Sequence, residues 1–188
     1  MKFLLFVLLY FLLFCSPKVE SNFGVDKYEG VYLDERTIKF SELEYERIAF
    51  NVYSPTCIPC IKEIPALNYI HSMIPDKKKS VIFMVVDPYF IVENSENKKL
   101  EEVFRQAKEI MQKEVKTRKI EFPVILMKKP FQVNPEGGLI TGTPETLLFK
   151  NRPFTLYYNF IGPISEIGEV INLEKDAKVR FFLRMIGG

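Results

Sequence analysis

Two cysteines three residues apart, in Cys57-Ile58-Pro59-Cys60, are the side chains of this sequence best placed to do chemistry. Their types and spacing suit a disulfide that opens and closes. The motif follows an apolar run over residues 48–53 and opens a segment with helical periodicity, so Cys57 falls at a helix start. Backbone N–H groups there lack partners and the helix dipole favours negative charge, which stabilises a thiolate. Thiolate is the form that attacks disulfides, and in such motifs its pKa is commonly about 3.5 to 7.5 rather than about 8.5. Cys57 is therefore the expected nucleophile. Cys60, one turn further in, is the expected resolving thiol, which attacks the mixed disulfide and releases the partner.

Other uses of the same residues fit less well. Structural zinc needs four soft or imidazole ligands, and beyond Cys57 and Cys60 the chain offers the distant Cys15 and its single histidine, His71. No metal site is expected. Covalent haem attachment requires histidine directly after the second cysteine, and that position is Ile61. An inert disulfide staple remains the competing reading.

Composition bounds the setting. The 188 residues suit one domain plus an export segment, and 47% hydrophobic content with 17 Phe and 9 Tyr is ample for a core. The formal charge is only +2, and residues 98–119 interleave both signs, so nothing points to nucleic acid. Residues 1–14 carry an early Lys2 and then an apolar stretch, the length of a signal-peptide core and short for a bilayer span. Export predicts an envelope location, on the periplasmic side, where disulfides persist. Leu12-Leu13-Phe14-Cys15 resembles a bacterial lipoprotein signal, which implies a leader over 1–15 and lipidation of Cys15, although Phe14 stands where a small residue is usual. An uncleaved anchor or ordinary cleavage nearby are the alternatives, and none of the three makes Cys15 catalytic.

The elements that must position the cysteines follow from patterning. Residues 16–36, with Pro17, Gly24 and Gly30, read as a tether, and the folded domain is expected over 37–188. Residues 37–40 alternate as a short strand and 47–54 form a buried central one. A helix over 57–73 is expected to kink at Pro65 and stop at Pro75. Residues 80–86 are nearly all apolar, as in strands covered on both faces. Leu100, Val103, Phe104, Ala107, Ile110, Met111 and Val115 form one stripe of a long amphipathic helix. Strand character resumes over 122–127, residues 128–139 read as a long exposed loop, 146–150 and 154–160 as a hairpin, and 176–185 as a closing helix. This order predicts an α/β fold with a mixed central sheet sandwiched by α-helices.

On residues 51–67 (NVYSPTCIPCIKEIPAL), on Val85-Val86-Asp87, Phe122-Pro123-Val124 and Gly142-Thr143-Pro144, the chain resembles the thioredoxin superfamily, more closely its membrane-tethered TlpA/ResA-type thiol-disulfide oxidoreductases. The resemblance covers residues 37 onward. It implies a thioredoxin-like fold, a cis bond before Pro144, and a Thr143 backbone that pairs with substrate in β fashion beside the cysteines. Glu63 matches the acidic position of the pattern Cys-x-x-Cys-x-x-Glu-x-Pro, which implies proton handling for the thiols; a solvated helix glutamate is the alternative. Thr56 stands where the family usually has Trp, and no Trp occurs anywhere in the chain, while Tyr53 keeps the upstream aromatic. The implied activity is disulfide exchange with protein substrates and a redox-partner protein by a membrane-attached monomer, without cofactor, with reduction in envelope redox homeostasis or cytochrome c maturation the favoured direction. Two alternatives stand beside it: an oxidase or isomerase, and a thioredoxin-like binding lipoprotein whose cysteines only staple the site and whose 128–139 loop engages a partner.

Overall fold

A computed structural model describes residues 22–187 apart from 135, 137, 168 and 169. The expected leader, Cys15 and the first part of the tether lie outside the described residues. The strands are β1 (Glu29–Tyr32), β2 (Thr37–Lys39), β3 (Arg47–Tyr53), β4 (Ser80–Val86), β5 (Val124–Met127), β6 (Glu145–Lys150) and β7 (Thr155–Ile161). The α-helices are α1 (Ile58–Met73), α2 (Pro88–Ile91), α3 (Leu100–Arg118), α4 (Val170–Leu173) and α5 (Ala177–Gly187). The seven strands form one mixed sheet in the order β2-β1-β5-β4-β3-β6-β7. β3, β4 and β5 run parallel in the middle, and the flanking pairs are antiparallel.

The central strands read as the sequence predicts. Every residue of β4 is buried, as a strand with neighbours on both sides and cover on both faces must be. Successive residues point to opposite faces, so β4 divides between two cores. Ile82, Met84 and Val86 pack with Ile64, Leu67 and Ile70 of α1, Val103, Ala107 and Met111 of α3, and Val179, Phe182 and Ile186 of α5. Val81, Phe83 and Val85 face the other way, onto a core closed by Val25, Ile38, Phe40, Phe131, Leu139, Ile140 and Phe154. None of the residues that close this second core belongs to an α-helix. Aromatic area replaces helical cover there: Phe40 stacks on Phe50 at 4.5 Å and Phe131 meets Tyr28 edge-on at 4.8 Å.

This second face revises two expectations. Residues 29–32, placed in the tether, are strand β1, which joins the sheet against both β2 and β5. Gly30 is there because a Cβ would lie 2.3 Å from Ile125 Cγ2 and 2.8 Å from the Leu126 carbonyl oxygen. The 128–139 segment is a loop, but not an exposed one throughout. Phe131 and Leu139 are buried under the sheet, and a bridge joins Val133 to Ile140.

The helix that carries the cysteines starts and stops for local reasons. Cys57 is its N-cap, extended at φ −86° and ψ 101°, and Pro59 sits in the first turn, where no helical N–H is missed. The helix continues through Pro65 to Met73. Ile74 is then extended, at φ −62° and ψ 118°, the conformation that Pro75 imposes on its predecessor. At the far end of the sheet, the last carbonyls of α5 lack helical donors, and side chains of the sheet supply them. Arg47 Nη1 and the Tyr157 hydroxyl donate to the Met185 carbonyl at 2.6 and 2.9 Å, and the Ser80 hydroxyl donates to that of Ile186 at 2.7 Å.

Candidate active site

β3 ends at Tyr53, and after three intervening residues Cys57 caps the start of α1. The two cysteines are joined in a disulfide across Cα atoms 5.2 Å apart. Their surroundings differ: Cys57 is half-buried, whereas Cys60 is fully enclosed in the helical core. Cys57 Sγ accepts the Cys60 backbone N–H at 3.2 Å, so one of the unpaired donors of the helix start points at the more accessible sulfur. That donor and the helix dipole both favour negative charge on Cys57 once the bond is reduced.

Glu63 is not a solvated helix residue. It is completely buried, three positions beyond Cys60 on the same helix, a spacing that makes the two side chains neighbours. Glu63 Oε1 accepts from Asn51 Nδ2 at 2.8 Å, and its Oε2 accepts from the Ile164 backbone N–H at 3.0 Å. Asn51 Nδ2 also donates to the Thr146 hydroxyl at 3.0 Å, while Asn51 Oδ1 is buried without a partner among the described residues. Burial raises the Glu63 carboxyl from 4.5 to about 7, against the hydrogen bonds from Ile164 and Asn51 and the charge of Lys178, which lower it. A carboxyl at this value gains and loses a proton near neutral pH.

The sheet brings the 142–144 segment to the same end. Antiparallel pairing of Val52 with Glu145 puts Pro144 beyond the partner of Val52, level with the end of β3 and the approach to Cys57. The Thr143-Pro144 peptide bond is cis, Pro144 is buried and Thr143 is exposed. Gly162, just past β7, donates its N–H to the Pro144 carbonyl at 3.0 Å. Thr56 is exposed, and its hydroxyl lies 3.0 Å from that of Ser54. Buried Tyr53 donates its hydroxyl to Glu114 of α3 at 2.8 Å, which fixes the upstream aromatic from below. His71 is half-buried near Phe122 and takes no part in this constellation. Sequence reasoning missed Asn51 and Ile164, which donate to Glu63, and Thr146, which accepts from Asn51. A polar Asn inside the apolar run of β3 is the one signal that could have found them.

A seven-stranded mixed sheet with a Cys-x-x-Cys disulfide at a strand-to-helix junction and a cis-proline just before the neighbouring strand is a thioredoxin-like fold. Solved structures share that fold. It is similar to a thiol:disulfide interchange protein from Bacteroides sp., at 16% identity over 86% of each chain with a TM-score of 0.53. It is similar as well to a DsbF homologue from Corynebacterium diphtheriae, at 18% identity over 86% of this chain and 96% of that one, TM-score 0.53. A secreted thiol-disulfide isomerase from Corynebacterium glutamicum matches at 17% identity over 81% and 83%, TM-score 0.52. At such identities the likeness establishes the fold. No protein-family profile matches the chain, and neither does any curated protein.

Proposed function

We propose that the chain is an extracytoplasmic thiol-disulfide oxidoreductase that exchanges disulfides with protein substrates through Cys57 and Cys60. The observation that carries this reading is the asymmetry of the pair: a half-exposed Cys57 capping α1 and accepting a backbone N–H, bonded to a fully buried Cys60. An inert staple has no need of one accessible, anion-stabilised sulfur.

In the reducing direction, the Cys57 thiolate attacks one sulfur of a substrate disulfide; that bond breaks and a substrate thiolate leaves. Cys60 gives its proton to Glu63 and attacks Cys57 Sγ, which breaks the mixed disulfide, forms the Cys57–Cys60 bond and releases the second substrate thiolate. The substrate gains two electrons and the cysteine pair loses them. A reduced dithiol protein, the redox partner, restores the pair by the same exchange at Cys57. Exposed Thr143 beside the site offers its backbone to an extended substrate segment, and the cis-Pro144 that follows it shapes that edge.

The fold neighbours include a secreted protein, and the apolar leader ending at Cys15 supports export and membrane attachment of this chain by lipid or by the segment itself. Among the described residues no helix is long and apolar enough to cross a membrane. Reduction in envelope redox homeostasis or cytochrome c maturation is the direction this reading favours.

The test is covalent capture in cells. Cys60→Ser should accumulate mixed disulfides at Cys57 that reductant releases on a gel, and Cys57→Ser should accumulate none. Equal capture by both variants removes the assigned mechanism.

A further inference from the structure

The exchange reaction makes no use of Glu145, yet this charged side chain is only 1% exposed and directly follows Pro144. Taking a carboxylate out of water is unfavourable unless donors replace the water, and here three do. Glu145 Oε1 accepts from the Thr141 backbone N–H at 2.7 Å and from the Thr141 hydroxyl. Its Oε2 accepts from Asn159 Nδ2 at 2.9 Å. Asn159 turns its amide nitrogen to the carboxylate although its Oδ1 is then buried without a partner among the described residues. All three donors are neutral, and all three meet oxygens of this one side chain.

The donors also show what the carboxylate holds. Thr141 lies before the Gly142-Thr143-Pro144 turn and Glu145 after it, so the side chain closes the turn across its base. Asn159 belongs to β7, the outer neighbour of β6, and it anchors the closed turn to the sheet. Thr143, exposed at the crest, is thus held from both sides. An apolar or hydroxyl side chain at position 145 could begin the strand equally well, but it could not accept three donors at once.

We infer that Glu145 is a positioning residue: by closing the 141–144 turn it presents the Thr143 backbone in the shape that pairs with an extended polypeptide, and so sets affinity for protein disulfides. This rests on the oxidoreductase reading above. It separates recognition, governed from the turn, from sulfur chemistry, governed from the start of α1.

The test is steady-state reduction of insulin and of glutathione disulfide by the full chain, with a small dithiol as the electron donor and its uncatalysed rate subtracted. Glu145→Gln replaces an acceptor with a donor that faces Thr141 or Asn159. It should raise the KM for insulin by about fivefold or more while kcat changes less than about twofold, and it should slow glutathione disulfide, too short to pair along the turn, far less. Thr141→Val keeps the carboxylate and the backbone donor and removes only the hydroxyl, so it should shift KM in the same direction by less. An unchanged insulin KM in both variants, or equal losses on the two substrates, overturns the positioning role. A wild-type chain that reduces neither substrate overturns the oxidoreductase reading and this inference with it.

Discussion

Glu63 is the residue whose chemistry depends most on where the fold puts it. Its carboxyl is raised from 4.5 to about 7 by burial, so between those values the folded chain holds a proton that the unfolded chain has released. Stability from this group is therefore fully present below about pH 4.5 and is lost as pH rises through about 7, a change of about 3 kcal/mol by linkage. Urea titrations of the oxidised protein should show wild type losing stability relative to Glu63→Gln over that interval, and parallel curves would contradict the buried environment. In the proposed mechanism the same substitution removes the acceptor for the Cys60 proton. It should therefore slow release of trapped substrate from Cys57 near neutral pH, measured by quenching single-turnover reactions, more than it slows initial attack. The acidic position after the cysteines was readable from the motif, but burial was not, because three of the groups around it come from β3, β6 and the segment after β7. Glu145 left still less trace. A single acid between a proline and an apolar run reads as an ordinary strand start.

At the scale of elements, legibility followed how local the cause was. β4 announces itself because full burial demands an unbroken apolar run, and α1 because its cap, its first-turn proline and the proline beyond its end are all encoded within 19 residues, Cys57 to Pro75. β1 could not be seen this way. Only four residues long and half-buried, it contains a glycine that suggests a linker, whereas Gly30 is set by the close approach of β5. Gly30→Ala should therefore cost about 1 to 3 kcal/mol in chemical denaturation. A neutral result would mean that β1 can move away from Ile125 without loss. The C-terminal helix gives a complementary expectation. Tyr157→Phe removes one of two donors to the Met185 carbonyl and should cost about 1 kcal/mol, with faster hydrogen exchange confined to α5.

Across the whole molecule the two faces of the sheet are closed by different means. One is covered by helices, of which α3 and α5 carry the periodic apolar stripes that a sequence reveals; the other has loops and short turns whose aromatic residues are scattered over residues 28–154. Buried Phe131 holds the 128–141 connection against that second face through Tyr28, Phe40 and Phe50. Phe131→Ala should cost about 3 kcal/mol and, because this connection leads into the 141–144 turn, should also weaken insulin binding. Exposed Thr56, in a chain with nine tyrosines and no tryptophan, has a practical corollary. Ultraviolet emission from the native protein is tyrosine light alone, from rings spread over the whole fold, so its colour and intensity say little about the sulfurs. An indole placed at position 56 would be the sole one in the spectrum, immediately beside Cys57, and its brightness would follow closing and opening of the S–S bond in real time.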